Sequence, residues 1–482
     1  MFTWFRLRWL LALLMGVGGL RAAHATHILG GDIAYAPVAS TTAGVPRYHV
    51  TVRLFKDATN AVQQDMVDLT CNRGGCNAAA ADYFTVTIPR NQSAPLITLG
   101  CAPATPIRTY SILLFETDVN LPRGQWTLSV RIDNRAANIV NIVNSINQAV
   151  HISSFLDNAV VVQNNSPRFE SNLLPYICGN AAQRYSFTTF DIDGDSLVYS
   201  LATPQSSMQP LSLCSTDVVA FIPGQFQLNA ATGALTAPAG SVRQGVYAMA
   251  ARVDEYRRIN GTWQPIGYVT RDISYLVYST TNIPPMFTGF TLATGAAQLP
   301  SQVISVRAGQ AVSLMLSAAD PDAGQSLRFS SDATGVVPGL SLTTLGATQA
   351  RLTWQVPATL PPGRYTATVA VLDDGCPLNA SEEQTFSFLV SAPNTPLADR
   401  PALPPISGAA FPMPFREQVQ FQAAAGGQAV TVVDELGRVV ARLQAGADGR
   451  VQWQPTPTLP AGLYVARGAD GRPMARLLRA GN

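Results

Sequence analysis

Alternation of apolar and polar residues is the feature that most constrains the fold of this chain. It is clearest in the segments Tyr48–Phe55 and Trp126–Ile132. A period of two residues is typical of strands with one buried face, and sustained helical periodicity is nearly absent. The 37 glycines and 34 prolines interrupt these segments as turn residues do. The sequence therefore predicts an all-β chain of β-sandwich domains.

Length and charge narrow the class further. A chain of 482 residues is longer than a single domain with one hydrophobic core, so roughly three or four domains are expected. Charged residues make up 13% of the sequence and the net charge is +2, so no strong field attracts nucleic acid or an anionic membrane. We therefore expect no nucleic-acid partner.

The first 25 residues have the layout of a cleavable secretion signal. Arg6 and Arg8 precede the apolar segment 9–20, and the small residues Ala23 and Ala25 precede a cleavage position before Thr26. An uncleaved membrane anchor is the alternative, but this segment is shorter than the ~20 residues that a helical span requires. No later segment reaches that length, so no transmembrane helix is expected. The sequence predicts a signal peptide over residues 1–25, and export.

An internal repeat in the middle of the chain indicates the domain organisation. Each copy opens with a proline-bearing linker, Asn164–Phe169 in the first and Asn282–Phe287 in the second. Each continues with an acidic loop and closes with a strand that begins Gly-x-Tyr and ends in acidic residues. Three landmarks in one order predict two equivalent domains at residues 164–280 and 281–392, after an N-terminal β-sandwich domain at residues 26–163.

The composition changes after the second repeat. Residues 393–408 are rich in proline, which favours an extended, semi-rigid linker. A last compact domain is predicted over residues 409–482. The alternative is that the proline-rich segment is an ordered loop of the preceding domain.

All six cysteines lie beyond the predicted signal, at positions 71, 76, 101, 178, 214 and 376. Export to an oxidising compartment favours disulfide bonds, although the sequence alone leaves many connectivities open. Cys178 and Cys214 lie in one repeat and are the pair that we expect to be bonded. Free buried thiols are the alternative.

The acidic loop of the first repeat is a candidate cation site. Asp191, Asp193 and Asp195 alternate along the chain, and the glycine between the last two permits a bend that lets their carboxylates converge. Calcium takes about six to eight oxygen ligands. Asp254 or Glu255 of the closing strand would complete the set. The spacing excludes an EF-hand loop, which needs glycine and glutamate at other positions.

The second repeat carries a reduced form of the same motif. Asp320 and Asp322 match the first two aspartates, but Gln325 stands in place of the third. Asp373 lies in the closing strand. We expect weaker calcium binding there, and in both repeats the alternative is that the aspartates only cap turns.

Recognisable catalytic motifs are absent from the sequence. The four histidines are isolated from one another, and no zinc-binding pair, nucleophile elbow or phosphate loop is present. The acidic pairs Asp373–Asp374 and Glu382–Glu383 leave a glycosidase-type pair open, because carboxylates distant in sequence can meet in space. Apart from structural calcium, no cofactor is expected.

Four motifs follow one another at the C-terminus. They are Phe411–Phe415 with Pro412 and Pro414, Val432–Val440 with Gly437 and Arg438, Pro460–Tyr464 with Gly462, Leu463 and Tyr464, and the basic and apolar ending Met474–Arg479. This segment resembles the type A sorting domain of type IX secretion cargo, with Met413 where that family usually has asparagine. The resemblance implies a small β-sandwich that the outer-membrane translocon recognises and its sortase usually removes. A small structural β-domain is the alternative.

Several segments between residues 26 and 280 carry a second resemblance. They are Thr26–Tyr35, Tyr48–Asp57, Cys178, Asp191–Tyr199 and Gly245–Asp272. They resemble large surface proteins of gliding bacteria that carry polycystic-kidney-disease-type domains, and the repeats themselves resemble cadherin or immunoglobulin domains. The resemblance implies a cell-surface location and tandem immunoglobulin- or cadherin-like β-sandwiches.

These observations predict an exported cell-surface or extracellular protein that is adhesive or structural and not an enzyme. The expected partners are the type IX translocon and sortase, together with a surface glycan or protein bound by the N-terminal domain. The alternative is a secreted polysaccharide-acting hydrolase with its site in that domain. A spacer without a specific ligand is a third possibility.

Overall fold

The computed structural model describes residues 28–58, 63–99, 108–178, 181–207, 216–217, 226–237, 240, 244–278, 280–295, 297–299, 301–392 and 410–481. The predicted signal peptide, the proline-rich linker and Cys214 lie outside these residues. The chain divides into two compact units, Met1–Asn394 and Thr395–Asn482. Nearly every described element is a strand, which confirms the all-β class. None of the described residues belongs to a helix long and apolar enough to cross a membrane.

Within its described residues, the first unit contains two short 3-10 helices, Ser145–Asn147 and Asp332–Gly335, and the other elements are strands. The N-terminal strands are β1 Ile28–Val38, β2 Arg47–Asp57, β3 Met66–Asn72, β4 Tyr83–Ser93, β5 Ile97–Leu99, β6 Arg108–Asn120, β7 Gln125–Ile132 and β8 Val150–Asp157. The first repeat has β9 Arg168–Phe169, β10 Tyr176–Cys178, β11 Gln183–Ser186, β12 Thr189–Phe190, β13 Ser196–Ala202, β14 Gln205–Ser206, β15 Thr216–Asp217, β16 Gln227–Leu228, β17 Ala234–Ala237, β18 Gly245–Ile259 and β19 Thr262–Tyr278. The second repeat has β20 Met286–Leu292, β21 Ala297–Gln298, β22 Val303–Arg307, β23 Ala311–Ala319, β24 Arg328–Ser330, β25 Leu340–Gly346, β26 Gln349–Gln355, β27 Gly363–Leu372 and β28 Ser381–Ser391.

Eight antiparallel strands form a closed ring whose last member comes from the first repeat. The order around the ring is β1, β2, β6, β4, β3, β7, β8 and β19. β19 closes the ring because residues 267–269 pair with β8 and residues 271–273 pair with β1. The alternation in β2 places Tyr48, Val50 and Val52 inside, where each is fully buried. Residues 26–163 therefore do not close their own sheet, and the boundary expected after residue 163 does not separate two independent sheets.

A buried ion-pair network binds β19 to the other strands of the ring. Arg271 donates from Nε to Asp32 Oδ2 at 2.9 Å, and Arg53 donates from its own Nε to the same oxygen at 3.1 Å. Arg271 is fully buried and Asp32 is 4% exposed. Burial alone would raise the pKa of Asp32, but the charges of Arg271 and Arg53 hold it below its usual value. The ionised carboxylate therefore connects β1, β2 and β19.

The two repeats share one set of strand pairings. In the second repeat, β20 pairs with β23, β23 with β26, β25 with β26, β24 with β27 and β27 with β28, all antiparallel, while β22 runs parallel to β28. In the first repeat, β9 pairs with β12, β11 with β17, β16 with β17, β13 with β18 and β18 with β19 in the same way, while β10 runs parallel to β19. The repeat seen in the sequence is thus one sandwich topology used twice.

Polar groups join the first repeat to the sheet formed by β27 and β28 of the second. Glu170 Oε2 accepts a hydrogen bond from Thr368 N at 2.9 Å, and Glu383 Oε2 accepts one from Ser186 N at 2.8 Å. Both carboxyl groups are buried, and burial raises the pKa of each to about 8. The two repeats therefore share a desolvated polar interface.

The second unit is a small two-sheet domain. Its strands are β29 Val419–Gln422, β30 Ala429–Asp434, β31 Val439–Gln444, β32 Arg450–Trp453, β33 Gly462–Gly468 and β34 Pro473–Arg479. β29 pairs with β32, and the other sheet has the order β31, β30, β33, β34. Trp453 packs between Phe415 and Tyr464, with ring centroids 5.6 Å and 5.4 Å away. This is the small β-sandwich expected for residues 409–482.

Removing the Arg271 guanidinium should destabilise the whole first unit. The variant Arg271→Ala leaves Asp32 buried with one of its two counter-ions lost, and breaking a buried ion pair costs about 3–5 kcal/mol. Urea denaturation followed by tryptophan fluorescence measures the loss. The control is Arg90→Ala, because Arg90 pairs with the exposed Asp65 and such pairs contribute less than about 1 kcal/mol. Equal losses in the two variants would contradict the role given to Arg271.

Raising the pH should weaken the interface between the repeats. In the folded state Glu170 and Glu383 keep their protons up to a pKa of about 8, whereas their ordinary pKa is 4.5. The folded state binds more protons between these limits, so the free energy of unfolding falls as the pH rises through them. We expect a lower melting midpoint at about pH 9 than at about pH 6.5. The double variant Glu170→Gln, Glu383→Gln should reduce that difference.

The control for this measurement is Glu116→Gln, which removes a partly exposed carboxyl group from β6. It should leave the difference between the two pH values unchanged. If the double variant keeps the full pH dependence of the parent protein, the titration belongs to other groups.

Candidate metal centre in the first repeat

The acidic loop between β12 and β13 folds around the side chain of Asp191. Asp191 Oδ1 accepts hydrogen bonds from the backbone N of Asp193 at 2.7 Å and of Gly194 at 3.2 Å. Gly194 has a φ of +75°, and a Cβ on it would lie 2.6 Å from the Tyr365 hydroxyl of the second repeat. Only glycine tolerates both conditions. The turn places one oxygen each of Asp191, Asp193 and Asp195 within 4.8 Å of one another.

The closing strand β18 directs Glu255, not Asp254, at this loop. Glu255 is fully buried, and the charges of Asp191 and Asp195 act on it. Asp254 instead accepts a hydrogen bond from Arg252 Nε at 2.9 Å. Neighbouring residues of a strand point to opposite faces, so only one of the two candidate carboxylates reaches the cluster.

The linker at the start of the first repeat brings amide groups to the cluster. Asn164 Nδ2 donates to Glu255 Oε2 at 2.9 Å and lies 3.4 Å from the Tyr35 hydroxyl of β1. Asn165 donates to Asp193 from its backbone N at 2.8 Å and from Nδ2 at 2.9 Å. The ring, the linker, the acidic loop and β18 therefore meet at one point.

One cationic side chain of the protein lies inside this cluster. Arg257 Nη2 donates to Asn164 Oδ1 at 2.6 Å and to Asp193 Oδ2 at 2.9 Å. Its Nε donates to Asp195 Oδ1 at 2.7 Å, and Nη2 also binds the second oxygen of that carboxylate. The guanidinium therefore neutralises the outer part of the cluster.

The inner part of the cluster has no such counter-ion. Burial raises the pKa of Asp191 to about 7, with a further contribution from Asp195. Burial also raises the pKa of Glu255 well above its usual value, and Asp191 adds to that shift. Asp191 Oδ2 and Glu255 Oε1 are buried and receive no hydrogen bond from an amide, hydroxyl or guanidinium group of the described residues. Such oxygens are costly to leave unpartnered. A hydrogen bond between the two carboxyl groups partly offsets the rise in the pKa of Asp191.

This donor set fits a hard cation. Carboxylate and amide oxygens are the ligands that calcium prefers. The cluster offers the two unpartnered oxygens, the carboxylates of Asp193 and Asp195, and Asn164 Oδ1. The residues that could hold calcium are therefore Asp191, Asp193, Asp195, Glu255 and Asn164.

The second repeat has the same hydrogen-bond scheme with fewer charges. Asn282 Nδ2 donates to Asp373 Oδ2 at 3.0 Å, and Asp322 N donates to Asp320 Oδ1 at 2.8 Å. Gln325 Nε2 donates to Asn282 Oδ1 at 2.7 Å, as Arg257 does to the equivalent asparagine. Asp373 also accepts hydrogen bonds from two backbone N–H groups. Its carboxylate is therefore already satisfied by the protein.

Three cysteines have described side chains, Cys71, Cys76 and Cys376, and the last lies beside Asp374, with its Sγ 3.7 Å from Asp374 O. Cys71 and Cys76 are free, the first buried and the second exposed, whereas Cys376 is disulfide-bonded. Cys214 and the side chain of Cys178 lie outside what the structure describes. The Cys178–Cys214 bond stays a prediction.

Most motif residues of the second unit lie on its surface or in its turns, and Tyr464 lies in its core. Pro412 and Pro414 are exposed ahead of β29. Gly437 turns the chain between β30 and β31 with a φ of +77°, and Arg438 beside it pairs with Asp434 at 2.6 Å. Gly462, Leu463 and Tyr464 open β33, with Leu463 43% exposed and Tyr464 buried.

A cleft of about 260 Å³ lies between the ring, the first linker and the second repeat, and carboxyl groups line it. Asp32 is held there by two arginines, and Asp332 Oδ2 accepts a hydrogen bond from Asn172 N at 2.7 Å. The acidic pairs noted in the sequence are also engaged, because Asp373 and Glu383 are buried and accept backbone hydrogen bonds. These carboxylates are committed to the fold.

Four members of the cluster, Asn164, Asn165, Arg257 and Tyr35, were not among the candidate ligands identified from the sequence. Asn164 had a signal, because asparagine stands at the same place in both linkers. Arg257 had a weaker one, since it follows Glu255 by two residues on the closing strand. No sequence pattern indicated Tyr35, because it lies on β1 and approaches the cluster only in the folded chain.

No protein-family model and no curated protein matches the chain. Among solved structures, human protocadherin-24 EC1-2 is 14% identical over 48% of this chain and 100% of its own, with a TM-score of 0.16. An I-band fragment of titin is 10% identical over 75% of this chain and 99% of its own, with a TM-score of 0.15. An endo-fucoidan hydrolase of glycoside hydrolase family 107 is 13% identical over 66% of this chain and 44% of its own, with a TM-score of 0.17. TM-scores this low carry no argument about activity.

Proposed function

We propose that the chain is an exported, non-catalytic protein of the cell surface or extracellular space, with an adhesive or structural role. The observation that carries this proposal is the way in which the ring and the two sandwich repeats are joined. Buried polar contacts connect them, through Arg271 and Asp32 on one side and Glu170 and Glu383 on the other. Domains joined by small interfaces move relative to one another by default, and desolvated junctions of this kind oppose such motion.

The partner that we expect is a surface glycan or protein held by the N-terminal ring. A hydrolase would need two free carboxylates facing one cleft. In the described cleft Asp32 is held by arginines and Asp332 accepts a backbone hydrogen bond, which leaves Glu116 as the partly exposed carboxyl group of the lining. The adhesive or structural role therefore remains our proposal. Because β19 belongs to both the ring and the first repeat, a binding test has to keep residues 26–280 together.

The second unit is proposed to be the sorting domain that the type IX translocon and its sortase recognise. Its support is the order of the four C-terminal motifs and the presence of a separate compact unit that contains them. The signal predicted over residues 1–25 agrees with this route, because such cargo first crosses the inner membrane.

Deleting residues 409–482 should leave the protein in the periplasm, because the translocon loses the domain that it recognises. Surface labelling and cell fractionation in a bacterium with a type IX system measure this. The matched control attaches residues 395–482 to a periplasmic reporter, which should then reach the surface. Undiminished surface display of the truncated protein would contradict the sorting assignment.

We further propose that the first repeat binds calcium through Asp191, Asp193, Asp195 and Glu255. The support is the pair of buried, unpartnered carboxylate oxygens beside two further carboxylates. When bound, the ion would supply positive charge at the point where the ring, the linker and the first repeat meet. The corresponding site of Asp320, Asp322 and Asp373 stays a weaker prediction, because Asp373 is satisfied by protein donors.

Calcium should raise the melting midpoint of the purified protein above its value in chelator. An ion that binds only the folded state stabilises it by mass action, by about 2.7 kcal/mol at a hundredfold excess over the dissociation constant. The variant Asp191→Asn should lose the effect, whereas Asp65→Asn on the exposed surface should retain it. An unchanged midpoint in the parent protein would leave the aspartates as turn residues.

A further inference from the structure

Arg257 holds the position from which a cation would contact the outer half of the acidic cluster. Its Nη2 atom lies between Asn164 Oδ1, Asp193 Oδ2 and Asp195 Oδ2. Those three oxygens belong to the donor set that calcium would use. A guanidinium and a calcium ion cannot occupy the same oxygens at once, so the two are mutually exclusive there.

The second repeat has a nitrogen donor at the position that Arg257 Nη2 occupies in the first repeat. Gln325 Nε2 lies between Asn282 Oδ1 at 2.7 Å and Asp322 Oδ2 at 3.4 Å. In both repeats one nitrogen joins the linker asparagine to the middle aspartate of the loop. The nitrogen is cationic in the first repeat and neutral in the second.

The guanidinium satisfies only part of the first cluster. It reaches Asp193 and Asp195, while Asp191 Oδ2 and Glu255 Oε1, in the interior, receive no hydrogen bond from an amide, hydroxyl or guanidinium group of the described residues. A smaller ion with more coordination sites could join the inner and outer oxygens, which a planar guanidinium does not do here.

The arginine also has a route out of the cluster. Its side chain is 24% exposed, and its Nη1 donates to Gln163 O at 3.1 Å on the exposed side. A long side chain near the end of β18 can therefore rotate toward solvent without a change in the backbone. The inner carboxylates lie in the protein interior and have no such freedom.

We propose that Arg257 is a tethered competitor for the cation site, which neutralises Asp193 and Asp195 in the calcium-free protein and is displaced when calcium binds. This inference rests on the calcium site proposed above and adds its regulation. The affinity for calcium is then set by what it costs to release the guanidinium. Since two carboxylates and one amide oxygen hold it, that cost is substantial.

The test is a calcium titration of the purified protein by isothermal titration calorimetry, with three variants. Arg257→Gln places in the first repeat the neutral amide that the second repeat uses, and should bind calcium roughly ten- to a hundredfold more tightly than the parent protein. Arg257→Lys keeps the charge but loses the fork of donors, and should give an intermediate affinity. Arg258→Gln is the matched control, since Arg258 donates to Gly261 O at its own turn and to no other residue that the structure describes, and it should leave the affinity unchanged.

A second measurement on the same proteins concerns the calcium-free state. Without its tethered cation, Arg257→Gln should melt at a lower temperature than the parent protein in chelator, and should gain more from added calcium. Arg258→Gln should show neither change. This measurement also shows whether each variant is folded.

The outcomes separate the two proposals. Calcium binding by the parent protein with no tighter binding by Arg257→Gln and Arg257→Lys would overturn the competitor role and leave the calcium site standing. Binding by Arg257→Gln alone would support the competitor role in its strongest form. The absence of calcium binding in all four proteins would overturn the calcium site and the competitor role together.

Discussion

The first unit depends on one shared strand, β19. One edge of β19 continues the first repeat through β18, and the other edge closes the N-terminal ring against β1 and β8. Buried ion pairs on both faces of β19 fix its register. Arg271 binds Asp32 on one face, and the next residue, Asp272, accepts a hydrogen bond from Arg135 Nη1 at 2.9 Å on the other. A slip of one residue would turn each charge to the wrong face and leave buried ions without partners. The ring and the first repeat therefore fold as one body.

The acidic cluster lies at the second point where separate parts of the chain are joined. Asn164 leaves the ring there and connects it to Glu255 on the closing strand, while Arg257 connects that strand to the loop. Hydrogen bonds satisfy most polar atoms of this junction. Its negative charge is only partly neutralised, because several carboxyl groups share the one guanidinium of Arg257. The raised pKa values of Asp191 and Glu255 express the same imbalance, since a buried carboxyl without a counter-ion keeps its proton. The raised pKa values mean that this junction holds protons, and the calcium ion that we propose would replace them.

The sequence was informative about features that repeat locally. Alternation predicted the buried face of β2, and two copies of one motif predicted a sandwich topology used twice. It was silent about β19, whose pairing with β1 joins residues more than two hundred positions apart and leaves no local pattern. It also could not choose between Asp254 and Glu255, because only the strand's orientation decides which carboxylate faces the loop. Long-range pairing and orientation are properties of the folded chain, so the members of the cluster that depend on them stayed hidden.

The two repeats share the hydrogen bonds of their linker junctions but differ in the charge of the residues that make them. Both junctions use a linker asparagine, a turn around the first aspartate and one nitrogen between the same two acceptors. At the second junction the closing carboxylate of Asp373 takes its hydrogen bonds from Gly375 N, Ala380 N and Asn282 Nδ2. At the first junction no backbone N–H group among the described residues donates to Glu255 Oε1. In both repeats one buried oxygen of the first aspartate, Asp191 Oδ2 or Asp320 Oδ2, lacks a protein donor, and in the first repeat Glu255 Oε1 lacks one as well. The calcium site that we propose therefore lies at the junction where the ring, the linker and the acidic loop of the first repeat meet.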